Sequence, residues 1–360
     1  MYENIKEEAK KIIEEGWTDG IAILWGNQNE SHSIYTGVIS GTDSKPVSEN
    51  TVYDLASVTK IFFLICVLKL VEKGSISLDT YVGDYSALFP NISNLKIYEL
   101  MNFSKLLQTP HRIDTTASYE EAITVLHDVR LVNEPPRYSD TGAIILSLIL
   151  NELSGTSFRE SISEIKDTCD LNDTFFWDEL PTESISHTQS YDKEYVYEGN
   201  ILVQRNTPVG IPHDPKARIL GACGHAGIFS TPKDIYIFCK CLLSGKIISK
   251  DALSLVCSSK YDTYIDEQHF GLLCYKKSSN QKKSEIPALF SDDAFAISGF
   301  TGTYLLIDPE KNIYVSIESN RIYNRLPYSA DANSSYPSTK EYVYRKDALL
   351  ELLQSQQKLL

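Results

Sequence analysis

Apolar and polar positions follow two different periods along this chain, and the switch between them divides it. Residues 1–16 place apolar side chains at helical spacing among eight Lys and Glu residues, which predicts an amphipathic helix. Residues 20–26 and 32–38 are β-rich apolar runs on either side of Asn27-Gln28-Asn29-Glu30, the pattern of a hairpin. An apolar run at 61–71 predicts a helix over about 58–73. From about 80 to 230 the pattern is mainly helical with long connections, clearest at 119–129, 141–153 and 158–166. Pro232 opens a further helix that runs to about 244. Strands are predicted at 270–276, 295–297, 302–307 and 313–318, with a turn at 308–312 and a last helix at 340–359. Strands at both ends of the chain imply one antiparallel sheet flanked by terminal helices, with a helical region inserted. This is an α+β architecture: 1–80 and 231–360 form a sheet half, and 81–230 a mainly helical half, of one integrated domain.

Composition narrows the partners more than the activity. A chain of 360 residues with 42% hydrophobic content is ordinary for a globular protein, and its net charge of −14 argues against nucleic acid or an anionic membrane as a general partner. The run after Lys60 is interrupted by Lys69 and is too short to span a bilayer. The charged first segment lacks the apolar core of a signal peptide, so the expected location is cytoplasmic if the chain is full-length, and extracytoplasmic if a signal was trimmed. Seven cysteines cannot all pair, and none form Cys-x-x-Cys. Buried or free thiols are expected in preference to a metal cluster of Cys223, His225, Cys239 and Cys241, because two residues two apart on a helix face different ways. No cofactor or metal is called for, and no heptad specifies an oligomer.

Candidate chemistry starts at Ser57-Val58-Thr59-Lys60, at the mouth of the 61–71 run. On a helix, residues three apart share a face, so the Ser57 hydroxyl and the Lys60 amine stand side by side. A serine needs a neighbour to take its proton, and a partly desolvated lysine can do so. The spacing alone says little, since Ser93, Ser163, Ser190, Ser230 and Ser279 also precede a lysine by three. Ser57 differs in having an extended lead-in, Tyr53-Asp54-Leu55-Ala56, and a strongly helical sequel.

The segment from Tyr53 to Lys60 resembles the nucleophile segment of the serine beta-lactamase-related family, which includes class C beta-lactamases, low-molecular-weight penicillin-binding proteins, D-amino-acid peptidases and esterases. The likeness continues in order. Glu72 to Asp79 resembles the turn after the nucleophile helix, and Tyr138-Ser139-Asp140 the second motif. Gly224 to Thr231 is similar to a landmark of the penicillin-binding-protein-like branch, 295–308 to the third-motif strand and its neighbour, and Ser319-Asn320-Arg321 to the end of the last strand. The resemblance implies a beta-lactamase/transpeptidase-like fold. Ser57 would be the acylated nucleophile, Lys60 its base or electrostatic partner, and Tyr138 the proton shuttle. The oxyanion hole would be formed by the backbone N–H groups of Ser57 and Phe300. Asp140, Ile297, Ser298 and Gly299 would contact substrate.

This chain also departs from the family. Relatives carry Lys-Thr-Gly, Lys-Ser-Gly or His-Thr-Gly where it has Ile297-Ser298-Gly299, so the basic residue that recognises a substrate carboxylate and tunes the Lys–Tyr pair is missing. His225-Ala226-Gly227 imitates that motif but precedes the Pro232 helix, and it reads as a landmark with His225 buried and hydrogen-bonded. Asn102-Phe103-Ser104-Lys105 stands where many relatives have His-Thr-Ser-Gly, which implies a reshaped loop. Asp140 in place of asparagine adds negative charge. The expected function is a serine hydrolase of a small ester or of a peptide or amide bond related to cell-wall fragments, with weak or no beta-lactamase activity. The alternative is a non-catalytic binding or regulatory descendant. No Gly-x-Ser-x-Gly supports an α/β-hydrolase. Arg321 or Lys105 are the candidates to supply the missing charge.

Overall fold

The computed structural model describes residues 2–353 apart from 41–42, 156, 186–187, 190–192, 199–200, 207 and 323–348. Among the described residues, nine strands make one antiparallel sheet. Three come from the start of the chain: β1 (Gly20–Asn27), β2 (Ser31–Ser40) and β3 (Asp43–Pro46). Six come from the other end: β4 (Thr263–Ile265), β5 (Gln268–Phe270), β6 (Tyr275–Lys276), β7 (Phe295–Ser298), β8 (Tyr304–Asp308) and β9 (Ile313–Ser319). Their order is β4-β5-β6-β7-β8-β9-β1-β2-β3, so the first strand pairs with the last, Ile21 opposite Ser319 and Asn27 opposite Ile313.

The strand period of two sorts side chains between two cores. Ala22, Leu24, Ile297, Leu305, Ile307 and Tyr314 face the helical region. Ile21, Ile23, Trp25, Ala296, Tyr304, Leu306 and Ile317 face the helix Tyr2–Glu14, through Ile5, Ala9 and Ile12, and also Leu349, Leu350 and Leu353. Because both faces are covered, β1 is buried along nearly its whole length.

Two elements differ from the sequence pattern. The single strand expected at 270–276 is two, β5 and β6, separated by a turn in which Leu273 adopts φ +55 and its N–H reaches Met101 O at 2.7 Å. That contact ties the sheet edge to the helical region. Two strands, Lys193–Glu198 and Ile201–Asn206, pair antiparallel within a region read as mainly helical. Their aromatic and β-branched residues were outweighed by the longer helical pattern around them. Of the helix expected at 340–359, only 349–353 fall among the described residues, and these are helical.

The helix Thr59–Glu72 is buried all round from Thr59 to Leu68. Such a helix belongs in a core, where each large apolar side chain contributes about 1.5–3 kcal/mol. Phe62 stacks on Phe238 at 4.2 Å and Phe63 meets Phe158 edge-on at 5.0 Å. Gly224 lies against the same helix, where a Cβ would stand 2.5 Å from the Phe63 ring. Only glycine lets that backbone come so close.

Candidate active site

The turn that carries Ser57 is held from four directions. Val52–Asp54 pairs with Ile228–Ser230, and the Leu55 N–H donates to Ile228 O at 3.0 Å. The stretch from Gly224 to Thr231 is therefore the splint for the nucleophile lead-in. Thr301 Oγ1 donates to Asp54 O at 2.8 Å and Thr303 Oγ1 to Leu55 O at 2.9 Å. The buried Asp54 carboxylate accepts the N–H of Ala56 at 2.9 Å and of His213 at 2.8 Å. Burial raises its pKa to about 6, against those two hydrogen bonds, which lower it. Ala56 has φ +46, a left-handed conformation that a residue with a Cβ adopts at a cost. The strain falls one residue before the hydroxyl that the turn presents.

Lys60 and Tyr138 converge on that hydroxyl. Lys60 Nζ donates to Ser57 Oγ at 2.9 Å, and the Tyr138 phenol donates to the same oxygen at 3.0 Å. Lys60 is wholly buried, and Nζ also donates to Asp140 Oδ1 at 2.7 Å and His225 O at 3.1 Å. All three ammonium protons are thereby used. The Tyr138 ring is stacked between Phe103, 4.8 Å away, and Tyr275, 6.1 Å away, with Lys60 Nζ 5.1 Å from its centroid. Burial raises the Tyr138 pKa, Asp140 adds to the rise, and the Ser57 hydrogen bond opposes it. The phenol stays protonated and acts as a donor. Phe103, with φ +60, is the centre of the Asn102–Lys105 loop, so the reshaped loop supplies one face of the stack.

Asp140 is the hub of a charge network. Burial pushes its pKa up, but Lys60 and Lys216 outweigh this and hold it well below the usual carboxylate range. Lys216 is an ion-pair partner of its Oδ2 and lies 3.4 Å from Asp214 Oδ2. Asp214 caps the helix Pro215–Leu220 through the N–H groups of Lys216 and Ala217, and its Oδ1 lies 3.2 Å from His225 Nε2. Burial lowers the His225 pKa, yet Asp214 raises it to about 9, so the ring is charged at neutral pH. Three cations thus face two carboxylates.

A cavity of about 380 Å³ opens over Ser57 and is bounded by Tyr138, Asp140, Asp214, Tyr275, Ser298, Gly299, Phe300 and Arg321. At Gly299 a Cβ would collide with Thr303 Oγ1 and stand 2.7 Å from Leu55 O, which explains the glycine. Gly299 N–H takes Thr303 O at 2.7 Å and Gly302 N–H takes Gly299 O at 3.0 Å, whereas no hydrogen bond among the described residues uses the Phe300 N–H. The Phe300 ring is held between His213, 4.9 Å away, and the Arg321 guanidinium, 5.1 Å away.

The structure brings Ser57, Lys60, Tyr138, Asp140, Ser298, Gly299 and Phe300 together. Ile297 is corrected. It is wholly buried in the core between sheet and helices and does not line the cavity, because the strand period turns it away from the side that Ser298 presents. Ser298 Oγ donates to Glu285 Oε2 at 2.7 Å, so an anion backs the strand where relatives carry a cation. Of the two candidate substitutes for that cation, Arg321 lines the cavity, while Lys105 pairs with Glu99 at 3.2 Å. Lys216, Asp214 and the Phe103–Tyr138–Tyr275 stack escaped sequence reasoning. One clue was present: an aspartate at 140, with its charge buried, calls for a second cation. His225 is buried as expected, and its carbonyl is a Lys60 acceptor. All seven cysteines are free thiols. No single helix among the described residues is long and apolar enough to cross a membrane.

A sheet with both chain ends in it, a core helix presenting a serine and a lysine, and a tyrosine from the helical half define the beta-lactamase/transpeptidase-like class. The match to solved structures agrees. The D-amino acid amidase of Ochrobactrum anthropi SV3 superposes with a TM-score of 0.70 at 17% identity, covering 99% of each chain. EstCE1, a hydrolase with promiscuous acyltransferase activity, gives 0.71 at 16%, covering 97% of this chain and 98% of that one. The family model described as Beta-lactamase matches residues 6–333, and the chain belongs to that family of serine hydrolases. An Escherichia coli O157:H7 protein provisionally named D-alanyl-D-alanine carboxypeptidase is 24% identical over 320 residues, 80% of this chain and 73% of the relative.

Proposed function

We propose that the chain is a serine hydrolase that forms an acyl-enzyme on Ser57 and cleaves a carboxylic ester or an amide or peptide bond, with weak or no activity on beta-lactams. The observation that carries this reading is the convergence of Lys60 Nζ and the Tyr138 phenol on Ser57 Oγ, at 2.9 and 3.0 Å, beneath an open cavity. The Ser57 oxygen attacks the carbonyl carbon as its proton passes to the neutral form of Lys60. Negative charge develops on the carbonyl oxygen, where the N–H groups of Ser57 and Phe300 receive it. The Tyr138 phenol gives its proton to the departing alkoxide or amine and recovers one from Lys60. Water then adds to the ester on Ser57, and the reverse transfers release the carboxylic acid and restore the hydroxyl.

Substrate choice follows from the sheet side. With Ile297 in the core and Glu285 behind Ser298, the third-motif strand itself offers no cation to a substrate carboxylate, and Arg321, the cation that lines the cavity, is engaged with Phe300, its Nε donating to Phe300 O at 2.8 Å. A charge-assisted hydrogen bond of this kind contributes about 1.5–3 kcal/mol, or one to two decades in affinity. Substrates without the carboxylate lose nothing. The amidase and esterase likenesses support this class, whereas the carboxypeptidase name of the relative supports only cleavage of a peptide bond, since such a substrate carries a free carboxylate. A second reading, a binding protein with an idle serine, is favoured by one observation: every proton of the Lys60 ammonium is engaged. Turnover of p-nitrophenyl acetate alongside a penicillin tests the proposal. Ester hydrolysis that vanishes in Ser57→Ala and exceeds penicillin hydrolysis is expected, and efficient penicillin hydrolysis contradicts the substrate assignment.

A further inference from the structure

Resting on the hydrolase reading above, we infer that Lys216 is a positioning residue for the reaction: by sharing the Asp140 carboxylate it loosens that carboxylate's hold on Lys60 and lets Lys60 serve as the base. The inference begins from a conflict in the site. Asp140 Oδ1 accepts from Lys60 Nζ at 2.7 Å, in a place that takes Lys60 wholly out of water. An unshared carboxylate there would fix the proton on Lys60, and Ser57 would have no acceptor for its own.

Lys216 answers this geometrically. It takes the other oxygen of the same carboxylate, so cation, anion and cation form a row. The negative charge that Lys60 meets is divided, and a second positive charge lies just beyond it. Both effects favour release of the Lys60 proton. Lys216 is held in place rather than loosely tethered. Asp214 Oδ2 lies 3.4 Å from its Nζ, while Asp214 Oδ1 caps its backbone N–H at 2.8 Å. Three residues before Lys216, the His213 N–H is fixed at 2.8 Å by Asp54 beneath the nucleophile turn. One short segment thus links the Ser57 turn to the Asp140 hub. Burial lowers the Lys216 pKa, but Asp140 and Asp214 raise it further, so the side chain stays charged over the working range.

The groups facing Lys60 are Asp140 at the start of the helix Thr141–Ser154, Lys216 and Asp214 from the segment at Pro215–Leu220, His225 before Ile228–Ser230, and Tyr138. His225 is hydrogen-bonded to Asp214 at 3.2 Å and acts on Asp140 only through space, whereas Lys216 pairs directly with the Asp140 oxygen that Lys60 does not take. The site therefore keeps a second cation although Ile297 supplies none. It reaches the site from the helical half instead of the sheet.

The test is the rate of Ser57 labelling by a fluorophosphonate, read by intact mass from pH 5 to 10. It compares wild type, Lys216→Met, Lys216→Arg and Asp140→Asn/Lys216→Met, with thermal melts as a check on folding. Lys216→Met is expected to move the acid limb up by about two pH units, the shift for unit charges roughly 6 Å apart at an effective dielectric near 20. Labelling at pH 7 then falls about 100-fold and converges with wild type at high pH. Lys216→Arg keeps the charge and should stay within a few-fold of wild type. The double variant removes anion and cation together and should return the limb toward wild type, and its limb is readable even if Lys216→Met folds poorly. KM for a neutral ester should be unchanged. An acid limb that stays put in Lys216→Met, or a double variant no better than the single one, overturns the inference. A loss confined to KM shows substrate binding by Lys216 instead, which also overturns it. Wild type that takes no label at any pH brings down the hydrolase reading itself, a result distinct from the others.

Discussion

The two walls of the cleft are built on opposite principles. The helical wall holds Lys60, Tyr138, Asp140, Asp214, Lys216 and His225, and nearly every polar atom there is engaged by another. The sheet wall presents Ser298, Gly299 and the Phe300 backbone, behind which Ile297 is packed as plain core. The first wall can move protons. The second can hold an oxyanion and shape a substrate, with tasks that rest on backbone N–H groups and close approach. Such a division lets side chains on the sheet wall change while proton transfer is preserved, because the charges that govern it lie across the cleft.

The comparison can be broken most severely at the junction. Ser57→Ala should abolish ester turnover and labelling, a loss of at least three decades. Its melting temperature should move little, because the removed hydroxyl borders the cavity. Residual turnover near wild type would place the nucleophile elsewhere. Within the helical wall, Tyr138→Phe keeps the stack between Phe103 and Tyr275 and removes only the phenol. The kcat should fall about 10²- to 10⁴-fold, more for poor leaving groups than for p-nitrophenol. An equal loss for both would mean that the phenol does not serve the leaving group.

On the sheet wall, Ile297→Lys buries an amine in apolar core. It should destabilise the protein by about 2–4 kcal/mol, read as a lower melting temperature, with ester turnover less affected than in Tyr138→Phe. If the amine reaches the cavity, penicillin acylation gains on ester turnover.

Glu318 shows what the fold does with a carboxylate that has no cations around it. Buried in β9, it is pushed by burial up to about 8 from an ordinary 4.5, with a Ser316 hydrogen bond in opposition. Asp140, at the cavity and met by lysines, goes the other way. The sign follows from linkage. Between pH 4.5 and 8 the folded state binds more protons at Glu318 than the unfolded chain, so its contribution to stability is full below 4.5 and declines as pH rises toward 8. Glu318→Gln should flatten that decline and stabilise the protein by roughly 2 kcal/mol at pH 8. A melting temperature independent of pH in the wild type would show that the group is not titrating there.

Much of this was legible in order along the chain. The apolar run after Lys60, the Tyr-Ser-Asp before a helix and the terminal strands each carry a local signal, and the structure joins them as the resemblance implied. What stayed hidden was set by distance. Lys216 meets Asp140 across 76 positions, and no period or spacing announces such a pair. Ile297 misled for a related reason. A motif position names a place on a strand, whereas the direction of its side chain follows from pairing with Leu305 and from the core on that face.

The claim on which both walls depend is that Ser57 is an active nucleophile. Intact mass after incubation with a fluorophosphonate, run for wild type and Ser57→Ala with a penicillin arm in parallel, tests it most directly. A single adduct in wild type, absent from Ser57→Ala and far slower to form with penicillin, is the predicted result. Wild-type protein that keeps its unmodified mass across pH 5 to 10 would contradict the account and leave the cleft as a binding pocket.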